Sequence, residues 1–127
     1  MNQGYKDLSI WQDSIELVEL IYRLTDKFPS SEKFGLISQM RRSSVSVPSN
    51  IAEGWSRKLD KVYLQFVRIA QGSAAELETQ IIISGRLNFT TNEDIIQIQN
   101  KLISIQKRIR SLASYLEEKI DDSENEK

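Results

Sequence analysis

Apolar residues recur at alternating spacings of three and four along the last third of the chain, without interruption. They are Ile95, Ile98, Leu102, Ile105, Ile109, Leu112 and Leu116. Heptad spacing of this kind places the residues on one helix face, which packs against other helices in a bundle or a coiled coil. The pattern therefore predicts a long amphipathic helix over about residues 92–120.

Apolar stripes with the same helical spacing predict three earlier helices, over about residues 7–28, 31–58 and 60–86. The stripes are Leu8, Trp11, Ile15, Val18 and Tyr22, and Ile10, Leu17, Ile21, Leu24 and Phe28, in the first helix; Ile37, Met40, Val47, Ile51 and Trp55 in the second; and Val62, Phe66, Ile69, Leu77 and Ile81 in the third. The two stripes of the first helix cover roughly 200° of the helical wheel, about twice the arc that one bundle core needs. This surplus predicts contact with another subunit.

The chain has only 5 Gly and 2 Pro among its 127 residues, too few for the many turns of an all-β fold. Four helices with short connections instead predict an all-α fold, an antiparallel up-down-up-down four-helix bundle. We expect one domain over residues 1–120. The remainder, residues 121–127, is a short charged tail that we expect to fray.

Pro48 lies inside the second predicted helix. Its ring removes one backbone donor and crowds the carbonyl of Ser44, so we expect a kink there. The alternative is a break, in which Asn50 caps a new helix with Glu53 as its capping-box partner. Gly54 weakens the same helix by roughly 1 kcal/mol relative to Ala.

The absence of Cys and His excludes most catalytic chemistry. Disulfides, thiolate nucleophiles and Ser-His relays all need these residues, and a di-metal carboxylate bundle takes a Glu-x-x-His pair from two of its helices. No glycine-rich phosphate loop is present either. We therefore expect a protein that is not an enzyme and holds neither a metal nor a cofactor.

The sequence also predicts a location. No apolar run approaches the roughly 20 residues of a membrane span. The first residues, MNQGYKDLSIWQ, lack the basic and apolar segments of a signal peptide. We expect a cytoplasmic protein without a membrane partner.

Formal net charge is −1, but its distribution is uneven. Residues 33–68 carry seven basic and two acidic residues, a charge of +5, whereas residues 117–127 carry −4. A basic patch of this kind favours RNA or DNA phosphates as ligands. The candidate nucleic-acid contacts are Arg41, Arg42, Arg57, Lys58, Lys61 and Arg68. The alternative is an ordinary solvated surface.

Two aromatic residues, Trp55 and Tyr63, lie near these cations in the sequence. They are candidates for stacking on bases. The alternative is that both rings are anchors in the core or at an interface. The small residues of the run Gly72-Ser73-Ala74-Ala75 would let another helix approach closely.

A polar stripe runs along the second helix within about 80° of arc. It comprises Gln39, Arg42, Ser46, Asn50, Glu53 and Arg57. The stripe either faces solvent or forms a subunit or ligand contact, with Glu53 held in an ion network between two guanidinium groups. Glu76 and Glu78 of the third helix are candidates to face Arg41 or Arg42.

The run GLISQMRRSSVSVPSNIAEGWSR, residues 35–57, resembles the signature of the 23S rRNA intervening-sequence protein family, which are small bacterial four-helix bundles. The runs DLSIWQDSIELVELIYRLTDKFP (7–29) and YLQFVRIAQGSAAELETQI (63–81) resemble the family's first and third helices. The resemblance covers most of residues 7–88, whereas the fourth helix matches in pattern only. The motif residues carried over are Arg41, Arg42, Ser46, Pro48, Asn50, Glu53, Gly54, Glu76 and Glu78.

The resemblance implies a left-handed bundle, a homopentameric ring and a role with nucleic acid. Some family members are encoded inside insertions in 23S rRNA genes, and related accessory proteins of retroelements bind RNA and reverse transcriptase. The family supplies no catalytic residues. Members thought to bind nucleic acid are more basic than this chain. We therefore expect a non-catalytic homo-oligomer that binds structured RNA or DNA, with a protein-binding scaffold that has no nucleic-acid role as the alternative.

Overall fold

Four α-helices form where the helical spacing of apolar residues predicts them. In the computed structural model, which describes residues 2–126, they are α1 (Ser9–Thr25), α2 (Leu36–Arg57), α3 (Asp60–Arg86) and α4 (Asn92–Asn125). Two short 3-10 turns, Gly4–Asp7 and Ser30–Glu32, precede α1 and α2. None of the helices within residues 2–126 combines the length and the apolarity needed to cross a membrane.

The observed helix ends agree with the prediction for α3 and differ for the others. The first helix is shorter at both ends, and the 3-10 turn after Pro29 delays the start of α2 to Leu36. The fourth helix continues through Asn125, five residues beyond its predicted end, and fraying of the tail stays a prediction. One cause is an ion pair across the helices, in which Lys61 Nζ lies 2.8 Å from Glu124 Oε1.

Pro48 does not break α2, because the helix is continuous from Leu36 to Arg57. The alternative of a new helix capped by Asn50 is therefore wrong. The Asn50 side-chain nitrogen instead donates to the Ser46 carbonyl at 2.7 Å and to the Ser46 hydroxyl at 2.9 Å. The proline ring is buried in the bundle, where packing offsets the missing backbone hydrogen bond. A kink at this position stays a prediction.

Each helix packs against two others around one core. Helices that follow one another in the chain are neighbours, and α4 also packs against α1. The fully buried large side chains come from all four helices and are Leu17, Ile21, Met40, Ile51, Leu77, Ile81, Leu102, Ile105, Ile109, Leu116, Val47 and Val67. The seam predicted on α4 is thus the part of that helix that the bundle buries, except for the half-buried Leu112.

Ion pairs between α1 and α4 run in opposite order along the two helices. Asp13 of α1 lies 2.6 Å from Arg108 of α4, and Glu16 lies 2.6 Å from Lys101. This order is the one expected of antiparallel neighbours.

Gly54 sets the distance between α2 and α3. A Cβ atom at this position would lie 2.7 Å from Phe66 Cβ and 2.9 Å from Tyr63 Cδ1, which is closer than atoms can approach. The backbone of Tyr63 is also near, at 3.2 Å, so the crowding is not confined to flexible side-chain ends. The glycine therefore has a packing role that outweighs its low helix propensity.

Substitution of Gly54 by Ala should destabilise the bundle. Overpacking costs about 1–3 kcal/mol, which exceeds the roughly 0.5–1 kcal/mol that Ala gains in helix propensity. Gly72 is the matched control, since nothing lies within 4 Å of the site that its Cβ would occupy. In urea unfolding at fixed protein concentration, Gly54→Ala should lower the midpoint and Gly72→Ala should raise it. Equal shifts in one direction would contradict the packing role.

Candidate nucleic-acid interface

The predicted phosphate contacts do not form one patch. Arg41 and Arg42 lie near the start of α2, whereas Arg57 and Lys58 lie at its end. Arg42 and Arg57 are fifteen residues apart, about 22 Å along the helix at 1.5 Å per residue. Lys61 follows at the start of α3. The cations thus divide between two distant regions of the bundle, with Arg68 further along α3.

Arg41 is committed to contacts with α1 and its C-terminal end. Its guanidinium donates to the Asp26 carboxylate at 2.8 Å and to the Thr25 hydroxyl at 2.9 Å. The same group lies over the Tyr22 ring, 4.5 Å from the centroid. These contacts tie α2 to the end of α1, and they assign Arg41 a structural role.

Three more of the predicted cations have carboxylate partners. Arg57 Nη2 lies 2.7 Å from Glu53 Oε1 in the same helix. Lys61 pairs with Glu124, whose hydrogen bond and charge raise the lysine pKa. Arg68 pairs with Glu117 of α4. The carboxylates cancel much of the field that a phosphate would meet at these positions.

The two remaining predicted cations have no carboxylate partner among the described residues. Arg42 is exposed and makes neither a hydrogen bond nor an ion pair with any of residues 2–126. Lys58 lies 5.9 Å from the centroid of the Trp55 ring, and its positive φ of 61° ends α2. Of the predicted contacts, these two are therefore free to meet a phosphate.

Trp55 and Tyr63 are half-buried packing residues. The ring of Trp55 meets that of Tyr5 edge-on at 6.3 Å, and Tyr5 in turn meets Trp11 at 5.5 Å. This aromatic cluster holds the N-terminal turn against the end of α2. Burial raises the pKa of Tyr63, which packs beside Gly54. Both rings take part in packing, as the alternative interpretation expects.

The middle of the α2 polar stripe faces α3. The hydroxyls of Ser46 and Ser73 lie 2.7 Å apart, and Asn50 donates to Ser46. Towards its two ends the stripe is exposed, at Gln39, Arg42, Glu53 and Arg57. The stripe is therefore partly interhelical and partly solvated.

The predicted ion network, in which Glu53 lies between two guanidinium groups, is wrong because only one guanidinium is present. Glu53 contacts one guanidinium, that of Arg57, and none other in residues 2–126. Glu76 and Glu78 make no ion pair with Arg41 or Arg42. Arg41 meets α1 instead, and Arg42 is exposed.

The structure reveals one surface that the sequence patterns missed. An open groove of about 520 Å³ lies beside the start of α2. Its lining residues are Tyr22, Lys33, Phe34, Ile37, Ser38, Arg41, Arg42 and Val45. Three of them are cationic and none is acidic. Phe34 lies in a turn, outside every apolar stripe, so helical periodicity carries no signal for it.

Lys107 and Arg110 on α4 are further cations that the prediction omitted. Neither has a carboxylate partner within the part of the chain that the structure describes. The sequence contains a signal that both cations are unpaired within their own helix, since no acidic residue lies three or four positions from either one. Across residues 2–126 the acidic side chains form no cluster suited to a metal ion.

The described part of the chain consists of four α-helices, with exposed cations on its surface and no cluster of metal-binding side chains. These features place the protein in the class of small helical-bundle proteins. The family model for the 23S rRNA-intervening sequence protein matches residues 6–111, and the chain belongs to this family. No curated protein matches the sequence.

The fold is also similar to a solved structure. This is a protein of unknown function from the S23 ribosomal protein family of Bacteroides thetaiotaomicron VPI-5482, with a TM-score of 0.74 and 23% identity. The alignment covers 82% of this chain and 97% of that one. At this identity the similarity establishes the four-helix fold.

Adjacent arginines allow the structural role of Arg41 to be separated from a ligand-binding role. Arg41→Ala removes a partly buried hydrogen-bonded cation and a ring contact, so we expect a loss of about 1–2 kcal/mol in unfolding free energy. Arg42→Ala removes no contact and should change it by less than about 0.5 kcal/mol. Urea unfolding measures both. Equal losses would contradict the division between the two residues.

Proposed function

We propose that this protein is a non-catalytic, self-associating four-helix bundle that binds structured RNA through cations on and beside α2. The observation that carries the proposal is a group of three exposed cations on and beside α2 that have no carboxylate partner in the described chain: Arg42 and Lys33 at one end of α2, and Lys58 at the other. Phosphate contacts require charge of this kind, whereas a paired cation must first give up its carboxylate. The family name, which refers to 23S rRNA, favours RNA as the polyanion.

Self-association would strengthen a modest patch. Repeating the same few cations around a ring raises the effective concentration of binding sites without any new contact. We propose a homopentamer, the assembly that the family resemblance implies. The overall charge of −1 is then a smaller obstacle to RNA binding, because a polyanion responds to the local charge within a Debye length of about 8–10 Å.

Exposed apolar surface supports assembly. Of the stripe predicted to be surplus on the first helix, Leu8 and Trp11 pack against the core, whereas Tyr22 is exposed. Most of the exposed aliphatic side chains lie on α3, on α4 and between them, at Ile69, Ile82, Ile83, Leu87, Ile96 and Ile103.

Charge reversal tests the RNA proposal. The variant Lys33→Glu/Arg42→Glu/Lys58→Glu should lose binding to a structured RNA hairpin in a gel-shift titration at low salt. The salt dependence should also become shallower, by about one unit of log–log slope for each phosphate that the variant no longer neutralises. The control, Arg86→Glu/Lys107→Glu/Arg110→Glu, changes net charge equally at other unpaired cations and should retain most of the affinity.

Two results would contradict the RNA proposal. One is the absence of binding by the unmodified protein at about 10 μM, within the range where non-specific contacts become measurable. The other is an equal loss in both variants, which would mean that only net charge matters. Preference for an acidic protein over RNA would support the scaffold alternative.

Light scattering tests the assembly. We expect a particle of five times the 14.7 kDa chain mass. Ile96→Lys/Ile103→Lys should reduce this mass, since it places charge on exposed aliphatic positions of α4. Gln97→Lys/Ser111→Lys adds the same charge at exposed polar positions and should leave the mass unchanged. A 14.7 kDa mass at all concentrations would contradict self-association.

A further inference from the structure

Phe34 is exposed to an unusual degree. Its side chain is 90% accessible, whereas the other exposed large apolar residues range from 39% to 64%. It lies in the turn between the Ser30–Glu32 3-10 helix and α2. A phenyl ring in this position contributes little to the core of its own chain, so packing within the chain does not explain why an aromatic residue occupies position 34.

Cations share the groove with this ring. Lys33 Nζ lies 5.5 Å from the Phe34 centroid, and Arg41 and Arg42 line the same groove. Tyr22, Ile37 and Val45 supply apolar surface, and no carboxylate is among the lining residues. Arg41 is already held by Asp26, which leaves Lys33 and Arg42 as the charges available to a ligand.

The groove therefore combines a flat apolar face with positive charge. Its complement is a ligand with a flat aromatic face and a negative charge a short distance away. A nucleotide has both, in its base and its phosphate. An apolar helix from a partner protein would need a longer row of apolar pockets than one protruding ring provides.

We propose that Phe34 is a stacking surface for the base of an unpaired RNA nucleotide, with Lys33 and Arg42 contacting the adjacent phosphates. Only an unpaired base exposes a face on which a side chain can stack, so the site selects loops and single strands over continuous duplex. This inference rests on the proposed RNA binding and deepens it. It also replaces Trp55 and Tyr63, whose rings are half-buried, as the aromatic group that meets the RNA.

Substitution of Phe34 tests the stacking. The probe is a short single-stranded RNA that contains the fluorescent base 2-aminopurine, compared with a fully paired RNA duplex. Phe34→Leu keeps an apolar side chain without a π face and should weaken single-strand binding about 5- to 100-fold. Phe34→Trp retains a π face and should bind at least as tightly as the unmodified protein. The quenching of 2-aminopurine on binding should disappear in Phe34→Leu only.

Salt dependence separates stacking from charge. Phe34→Leu should leave the salt slope unchanged, since every phosphate keeps its cation, whereas Arg42→Gln should reduce the slope by about one phosphate contact. Because Phe34 and Arg42 are both exposed, both variants should unfold at the same urea concentration as the unmodified protein. An affinity loss that accompanies unfolding would overturn the assignment.

The outcomes distinguish this inference from the proposed function. Equal binding of single-stranded RNA by the unmodified protein and Phe34→Leu overturns the stacking site while RNA binding stands. No binding of any RNA overturns both. A smaller assembly mass for Phe34→Leu in light scattering would assign the ring to a contact between copies and also overturn the inference. If Phe34→Leu weakened binding of the duplex as much as binding of the single strand, the inference would also be overturned.

Discussion

The close approach of α2 and α3 is the contact on which the other features of this bundle depend. At one end, Gly54 leaves no room for a Cβ atom beside Phe66 and Tyr63. Further along, the Ser46 and Ser73 hydroxyls meet at 2.7 Å, and the Ser43 hydroxyl donates to the buried Gln80 amide oxygen at 2.7 Å. Small and polar side chains therefore set the spacing, and the hydrogen bonds satisfy groups that would otherwise be costly to bury.

This interface also fixes which way the α2 cations point. Once one face of the helix is held against α3 and another against α1, successive residues diverge by about 100°. Arg41 consequently reaches Asp26 at the end of α1, while Arg42 faces solvent. Two adjacent arginines thus acquire different roles through helix geometry alone.

Local patterns predicted the fold better than the candidate site, because apolar periodicity is a local property and most ion pairing is not. The bounds of α3 and the buried seam of α4 follow from spacing alone. Ile69 shows where spacing fails, since it belongs to the apolar stripe predicted for α3 but is 50% exposed. An apolar stripe drifts around a straight helix, and the positions of the neighbouring helices decide which of its residues are buried. The Glu53–Arg57 pair follows from a spacing of four residues, whereas Arg68 meets Glu117 only after the helices pack. Composition therefore overstates the free positive charge in the middle of the chain.

The consequence for function is that unpaired charge matters more than total charge. The acidic end of α4 neutralises cations near the start of α3, through Glu117 and Glu124, and leaves the start of α2 untouched. That region holds Lys33 and Arg42 beside an exposed phenyl ring. A chain with a net charge of −1 can in this way keep unpaired positive charge beside an exposed aromatic face. The acidic residues of α4 would then lower the overall affinity for polyanions while leaving the contacts at the start of α2 intact.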